Sequence, residues 1–212
     1  MKFDSLIFDL DGTLWDASRT YAKAWCECLQ RTYPDKTITP EMLFPLMGME
    51  QGKALARLLP EINEAERETI YAGVAPAINR LIPQDGGNLY AGVKEGIPQL
   101  QEKYKLFIVS NCPRGLINEF LSWSELNQFF SGHLSYGDYQ QPKSFNIQRI
   151  IQQYGLGQAV YVGDTDSDRL QAGIAGVPFV FVRYGFGDCE QFYKAFDTFR
   201  ELTCFFMDLA GA

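Results

Sequence analysis

Two aspartates stand two residues apart in Asp9-Leu10-Asp11-Gly12-Thr13, directly after the apolar run Ser5-Leu6-Ile7-Phe8. That pattern reads as a short buried strand followed at once by a glycine turn. A carboxylate at the strand end can serve as a nucleophile, and a second one just beyond it as a proton donor and acceptor. Open α/β sheets place their chemistry at this edge. The same signature recurs along the chain. Leu106-Phe107-Ile108-Val109 stops at Ser110-Asn111, and Ala159-Val160-Tyr161-Val162 stops at Gly163-Asp164-Thr165-Asp166-Ser167-Asp168. Lys143 lies between them, just before a helical pattern. Ser110 offers a hydroxyl donor, Lys143 a compact positive charge, and Asp164 and Asp168 two more carboxylates. Taken singly, each fits a blander role. A strand-end serine, a surface lysine or an acidic residue in a helix's first turn, where the dipole favours it, is common.

Taken in order, Asp-x-Asp-Gly-Thr, Ser-Asn after a strand, a lysine and Gly-Asp-x-x-x-Asp resemble the haloacid dehalogenase-like hydrolase superfamily. Within it the chain looks like the phosphoglycolate phosphatase and β-phosphoglucomutase branch, over about residues 3–185. The resemblance implies a Rossmann-like α/β core, a doubly wound parallel sheet, with a helical cap inserted after the first strand. It implies Asp9 as nucleophile, forming an aspartyl-phosphate, and Asp11 as general acid and base. Lys143 stabilises charge, and Ser110, Asn111 and Lys143 bind phosphate. Mg²⁺ is implied on the Asp9 side chain, the Asp11 backbone carbonyl and Asp164. Asp168 stands behind them, orienting Lys143 or metal-bound waters. The expected substrate is a small phosphorylated metabolite.

Elementary electrostatics also asks for a cation. A phosphate monoester meeting Asp9 at ~4 Å is repelled by about 1 kcal/mol in water and about 4 at the effective dielectric of a protein surface. Oxygen-only ligands suit Mg²⁺, which keeps several waters and needs one or two carboxylates.

The elements that must hold these groups divide by character. Residues 1–14 give a strand and its turn. Residues from about Trp15 to Leu81 are helix-like. Tyr21, Ala24, Trp25, Cys28 and Leu29 fall at helical spacing within Asp16–Arg31. Thr39-Pro40 reads as a helix start with Thr39 as cap, and helices are expected over Gln51–Leu59 and Glu64–Leu81. Strand and helix patterns then alternate from Leu106 to Arg183, which argues for a parallel sheet. The tail, Glu201–Met207, fits either a last helix or an edge element. The expected division is a core of residues 1–14 and 83–212 and a cap of 15–82. The hinges fall near Thr13–Asp16 and in the turn-rich Pro83-Gln84-Asp85-Gly86-Gly87-Asn88.

The cap segment Pro45–Gly52 resembles the family's specificity loop, with Met47, Gly48, Met49 and Glu50 as candidate substrate contacts and Gly48 matching its glycine. Lys53 and Arg57 follow, where a solvated face is the better reading. Ala91 stands where the family often has proline. Tyr21 stands where mutases of the β-phosphoglucomutase type carry a histidine, and Gln51 near their arginine; both count against a mutase. Asp11 counts against a 2-haloacid dehalogenase, which lacks the second aspartate and needs no metal. A silent binding protein on this fold would have lost one of Asp9, Asp11, Lys143 or Asp164.

Composition bounds the rest. The 212 residues, 46% hydrophobic, suffice for one core domain and an insert. A net charge of −7 argues against a nucleic-acid surface. No run approaches the ~20 apolar residues of a membrane span, and Lys2 and Asp4 interrupt any leader-like stretch. Five scattered cysteines and a single histidine, His133, offer no zinc spacing and little scope for Ser/His or Cys/His chemistry. Cys112 is notable for following Ser110-Asn111 directly. The expectation is a cytoplasmic monomer or homodimer.

Overall fold

Leu6, Ile7 and Phe8 are fully buried, as a strand inside a parallel sheet must be. Leu6 and Phe8 join one hydrophobic cluster and Ile7 the other, the two-residue alternation of a pleated strand with helices on both sides. The computed structural model describes residues 2–211. Its strands are β1 (Ser5–Phe8), β2 (Trp15–Asp16), β3 (Asn88–Leu89), β4 (Lys105–Ser110), β5 (Gly132–Ser135), β6 (Ala159–Gly163), β7 (Phe179–Val182) and β8 (Lys194–Phe196). Its helices are α1 (Ser18–Leu29), α2 (Pro40–Leu43), α3 (Gln51–Leu58), α4 (Glu64–Asp85), α5 (Val93–Gln101), α6 (Leu116–Ser124), α7 (Tyr136–Tyr139), α8 (Lys143–Tyr154), α9 (Asp166–Ala175) and α10 (Phe199–Gly211).

Six strands form one sheet in the order β5-β4-β1-β6-β7-β8, with every neighbouring pair parallel. One face is covered by Ile97 of α5, Phe120 of α6 and Phe206 of α10. The other is covered by Ile147 and Ile150 of α8 and Ala172 of α9. This is the doubly wound α/β core that the alternation predicts. With β1 central, the carboxyl ends of β1, β4 and β6 lie side by side, and those ends carry Asp9, Ser110 and Asp164.

The helices α1 to α4 follow the Asp9–Thr13 turn and lie over that edge. α1 buries Tyr21, Trp25 and Leu29, and α4 buries Val74, Ile78, Leu81 and Ile82. Both expected hinges meet in an antiparallel ribbon, Trp15 opposite Leu89 and Asp16 opposite Asn88.

The structure differs from the sequence reading at several points. The first cap helix starts at Ser18 rather than Asp16, because Trp15–Asp16 belong to that ribbon. Thr39 occupies the cap position of α2, but its side chain makes no capping hydrogen bond. α4 runs on through Pro83 to Asp85, so a cut between 82 and 83 falls inside a helix. The buried stripe Val74, Ala77, Ile78, Leu81, Ile82 holds the helix together across Pro76 and Pro83, each of which removes an N–H. The backbone breaks at Gly86 instead, where φ is +62°. The tail is a helix, α10, packing Leu202 and Phe206 inward. The edge strand β8 has three residues and no clear alternation, and the sequence reading misses it. No helix among the described residues is long and apolar enough to cross a membrane.

Candidate active site

Asp9 leaves β1 with its backbone N–H donating to the Val162 carbonyl at 2.8 Å, which fixes it beside the end of β6. Its side chain is 2% exposed. The helix α8 begins at Lys143 itself, and the side chain is buried, Nζ lying 3.0 Å from Asp9 Oδ1 and 2.5 Å from Asp168 Oδ1. The Asp9 contact is ionic without hydrogen-bond alignment, so Asp9 Oδ1 has no hydrogen-bond partner among the described residues.

Asp168 is held from its other oxygen. Its Oδ2 accepts from the Thr165 backbone N–H at 3.1 Å and from Thr165 Oγ1 at 2.7 Å, while the Asp168 N–H donates back to Thr165 Oγ1. This reciprocal cap starts α9 and aims one carboxylate oxygen at Lys143. Asp166 is exposed and pairs with Arg169, as expected of a solvent-facing neighbour.

Asp164 is fully buried. It accepts from the Phe186 backbone N–H at 2.7 Å and from Thr13 Oγ1 at 3.4 Å. Close packing there requires glycine twice. Gly12 has φ +86°, and a Cβ on it would collide with the Asp164 carboxylate. A Cβ on Gly185 would meet the same side chain.

Asp11 sits beyond the strand end on the wall of a cavity of about 130 Å³ between core and cap. The Tyr21 hydroxyl of α1 donates to Asp11 Oδ1 at 2.7 Å. Ser110 and Asn111 line the same cavity. Asn111 has its side-chain amide donating to the Gly48 carbonyl at 2.9 Å, tying the core to the cap loop. Cys112 adds a buried thiol whose ionisation burial suppresses, so it contributes a small neutral wall. Met47, Gly48 and Met49 line the cavity; Glu50 does not, and forms a 2.7 Å pair with Lys53 on the exposed surface. Of the four expected specificity-loop residues, Glu50 is the one that does not line the cavity. As the N-cap residue of α3, it carries its side chain outward.

Burial dominates the electrostatics. It raises the Asp9 carboxyl to about 6, against the pull of Lys143 and with a further push from Asp168. It raises Asp11 to about 7, although the Tyr21 hydrogen bond favours the charged form. Asp164 is pushed well above the carboxylate range by burial and by its acidic neighbours. Burial alone would lower Lys143, but Asp168 and Asp9 outweigh it and hold the ammonium charged.

One oxygen each of Asp9, Asp164 and Asp168 fall within 4.8 Å of one another, close enough to share a cation. Asp168 is already committed to Lys143 and Thr165, whereas Asp9 has the unpartnered oxygen. The residues present therefore fit a hard divalent ion held chiefly by Asp9 and Asp164.

Sequence reasoning missed three partners of these groups. Tyr21 was marked by its place on a helix face and by standing where related mutases carry a histidine, but neither signal pointed to a bond with Asp11. Thr165 was legible as the start of a Thr-x-x-Asp cap. The Tyr184-Gly185-Phe186-Gly187 loop was marked only by two glycines after a strand, and it supplies both the N–H on Asp164 and a 2.9 Å bond from the Tyr184 hydroxyl to the Thr13 carbonyl.

A family model described as haloacid dehalogenase-like hydrolase matches residues 6–182. A phosphoglycolate phosphatase of Aliivibrio fischeri is 28% identical over 198 residues, covering 87% of this chain and 86% of its own. The pyrophosphatase PpaX of Listeria welshimeri is 34% identical over 130 residues, 61% of this chain and 58% of its own. Among solved structures, that of a predicted phosphoglycolate phosphatase from Haemophilus somnus superposes with a TM-score of 0.84 at 21% identity, over 97% of this chain and 98% of that one.

Proposed function

The chain belongs to the haloacid dehalogenase-like hydrolases, and from that premise we propose that it is a Mg²⁺-dependent phosphatase of a small phosphorylated metabolite, working through an aspartyl-phosphate on Asp9. The observation that carries this reading is the pairing of two differently placed carboxylates. Asp9 is buried against Lys143, and Asp11 stands at the cavity wall under the Tyr21 hydroxyl.

In the first step an Asp9 carboxylate oxygen attacks phosphorus, and the bond from phosphorus to the ester oxygen breaks. Asp11 delivers its proton to the departing alkoxide; a carboxyl raised to about 7 holds that proton near neutral pH. In the second step Asp11, now ionised, takes a proton from water, and the hydroxide displaces Asp9 from phosphorus. The products are the free alcohol and inorganic phosphate. Lys143 offsets the charge gathering on Asp9 and the phosphoryl oxygens, and Asp168 keeps its ammonium in place. The Ser110 hydroxyl and the backbone N–H of Asn111 complete the cradle. Asp9, Asp164 and the Asp11 backbone carbonyl would hold Mg²⁺, whose charge would lower the repulsion between carboxylate and phosphate.

We further infer that α1 to α4 form a cap that opens for exchange, with the β2–β3 ribbon as its hinge and Gly86 as its second boundary. The Asn111–Gly48 and Tyr21–Asp11 hydrogen bonds and the stacked Phe44 and Phe186 rings, 5.3 Å apart, are among the contacts to be broken. Five unpaired cysteines and the acidic surface support a cytoplasmic enzyme acting as a monomer or homodimer, not on nucleic acid or membrane.

The test is trapping. Incubation with a labelled phosphate donor and Mg²⁺, then acid quench, should leave label on Asp9, and exhaustive EDTA treatment should stop turnover. Turnover that survives EDTA, or label on another residue, rejects the mechanism.

A further inference from the structure

Every group that recognises phosphate lies at the core end of the cavity; its cap end has a different character. Trp25, Leu46, Met47, Leu55, Leu58 and Tyr71 face the cavity there, and among the described residues no lysine, arginine or histidine lines it. The only charges these residues bring to its wall are the carboxylates of Asp9 and Asp11. Resting on the phosphatase reading, we propose that the alcohol half of the substrate is uncharged, predominantly apolar and compact.

Three polar side chains on the wall are already engaged, and the two other hydroxyls that line it, on Tyr71 and Ser110, bring no positive charge. The Tyr21 hydroxyl is spent on Asp11, the Asn111 amide on Gly48, and the Gln51 amide on Glu68 at 3.1 Å. The neighbouring cations turn outward. Lys53 is 71% exposed and paired with Glu50, and Arg114 is 81% exposed beside Asp138. Arg57 is exposed and does not line the cavity. Lys143 is buried behind Asp9 and serves the phosphoryl end.

A second anionic group on the substrate would therefore be stripped of water against an apolar wall, with two carboxylates for company and no cation. Such an unpaired buried charge is strongly disfavoured. An apolar group gains by leaving water for the same surface. Size sets the scale. The whole cavity, phosphoryl end included, measures about 130 Å³, which keeps the alcohol half compact. The named activities of the relatives, phosphoglycolate and pyrophosphate hydrolysis, both present a second anion, which this wall does not answer.

The experiment compares kcat/KM in Mg²⁺ buffer for benzyl phosphate, 2-phosphoglycolate, glycerol phosphate and pyrophosphate. Benzyl phosphate and phosphoglycolate both release an alkoxide, so a difference between them reports the cavity more than the leaving group. Benzyl phosphate should lead phosphoglycolate by about a hundredfold, the upper end of what apolar pocket contacts discriminate. Met49→Lys and, separately, Met47→Lys place a cation on a half-buried part of the wall. Each should narrow that ratio by at least about tenfold, chiefly through gain on phosphoglycolate.

Phosphoglycolate or pyrophosphate turned over as well as benzyl phosphate would overturn the inference and leave the phosphatase reading standing. An unchanged ratio in both lysine variants would overturn the placement of the alcohol half in this chamber. Absence of turnover with all four compounds would reject the phosphatase reading itself, and the substrate inference with it.

Discussion

The two walls of the cavity are built to opposite rules. The core wall carries Asp9 and Asp11, with Asp164, Asp168 and the Lys143 ammonium buried behind them, and burial disfavours the charge of Asp9, Asp11 and Asp164. Three of these carboxylates are placed by short, nameable contacts: Thr165 on Asp168, Phe186 on Asp164, Tyr21 on Asp11. The cap wall is apolar, drawn from several helices and one loop, and held by packing. A wall made of directed contacts specifies a reaction; a wall made of packed surface specifies which molecule the reaction meets. Substitutions on the core wall should therefore depress kcat for every ester. Those on the cap wall should reorder esters while sparing the chemistry.

The largest expected effect is at Asp9. On the mechanism proposed above, with Asp9 as nucleophile and Asp11 as proton relay, Asp9→Asn removes the nucleophile, because an amide oxygen does not form the acyl phosphate. Turnover should fall to background for all substrates, with no trapped phosphoenzyme. A covalent phosphoenzyme in this variant would dismantle the core-wall assignment. Asp11→Asn comes next. It leaves the nucleophile and removes the proton relay, a contribution of ~10²–10⁴-fold. The loss should be full with alkyl phosphates and smaller with p-nitrophenyl phosphate, whose phenolate needs little protonation. Because the second step still lacks its base, phosphoenzyme should accumulate. Wild-type rates with an alkyl phosphate would show that Asp11 is not the relay.

How much of this was readable in the sequence follows the same divide. Asp9, Ser110 and Asp164 were legible because each ends an uninterrupted apolar run, and a parallel sheet brings such ends together whatever the details. The sheet's alternation was legible for the same reason. Tyr21 was not, since its bond to Asp11 depends on how the cap is docked, a matter of tertiary geometry. Nor was the hinge boundary. Pro83 reads as a breaker, yet burial of Leu81 and Ile82 carries α4 past it. The three-residue strand β8 has too little length for a period to show, and its pairing with β7 is what makes it a strand. Cap-wall residues such as Leu55 and Leu58 look like ordinary core leucines, because their contact with a cavity leaves no trace in spacing.

A smaller effect is expected at the seam between the walls. Tyr21→Phe deletes one hydrogen bond to Asp11 and little volume. That bond favours the charged carboxylate, so its loss should raise the Asp11 carboxyl above its present value of about 7. Asp11 then becomes a poorer base at the pH where dephosphorylation occurs. The acidic limb of the kcat profile should move to higher pH, with kcat near neutrality down about tenfold, the worth of a modest charge-assisted bond. KM for a given ester should change much less. A profile superimposable on wild type would mean that the cap does not tune the acid–base group, and the two walls would be independent after all.

The smallest effect concerns stability, and it asks whether the core wall costs the fold anything. In metal-free protein Asp164 is buried and raised well above the ordinary carboxylate range, and Asp9 is raised to about 6. A carboxyl raised in the folded state binds its proton more tightly there than in the unfolded chain. The stability it contributes is present below about pH 4 and is lost as pH rises through its folded value. His133 works the other way, since burial favours its neutral form and its protonation below about pH 6.5 opposes folding. Comparing variants cancels that contribution. Asp164→Asn keeps a carbonyl oxygen for the Phe186 N–H and can turn its amide toward Thr13 Oγ1, while removing one buried charge. In EDTA at pH 7.5 the variant should therefore be more stable than wild type by on the order of 1 kcal/mol, about the free energy of a tenfold change in proton affinity. The difference should shrink as pH falls toward 4, where Asp164 of the unfolded wild-type chain begins to bind the proton that the folded state already holds. Mg²⁺ should raise the melting temperature of wild type and leave the variant nearly unmoved. Urea melts at pH 7.5 and pH 4.5, with and without Mg²⁺, make the measurement. A variant less stable than wild type at pH 7.5 would show that the acidic wall is held by its hydrogen bonds at no net cost, and that its strain is not what the metal relieves.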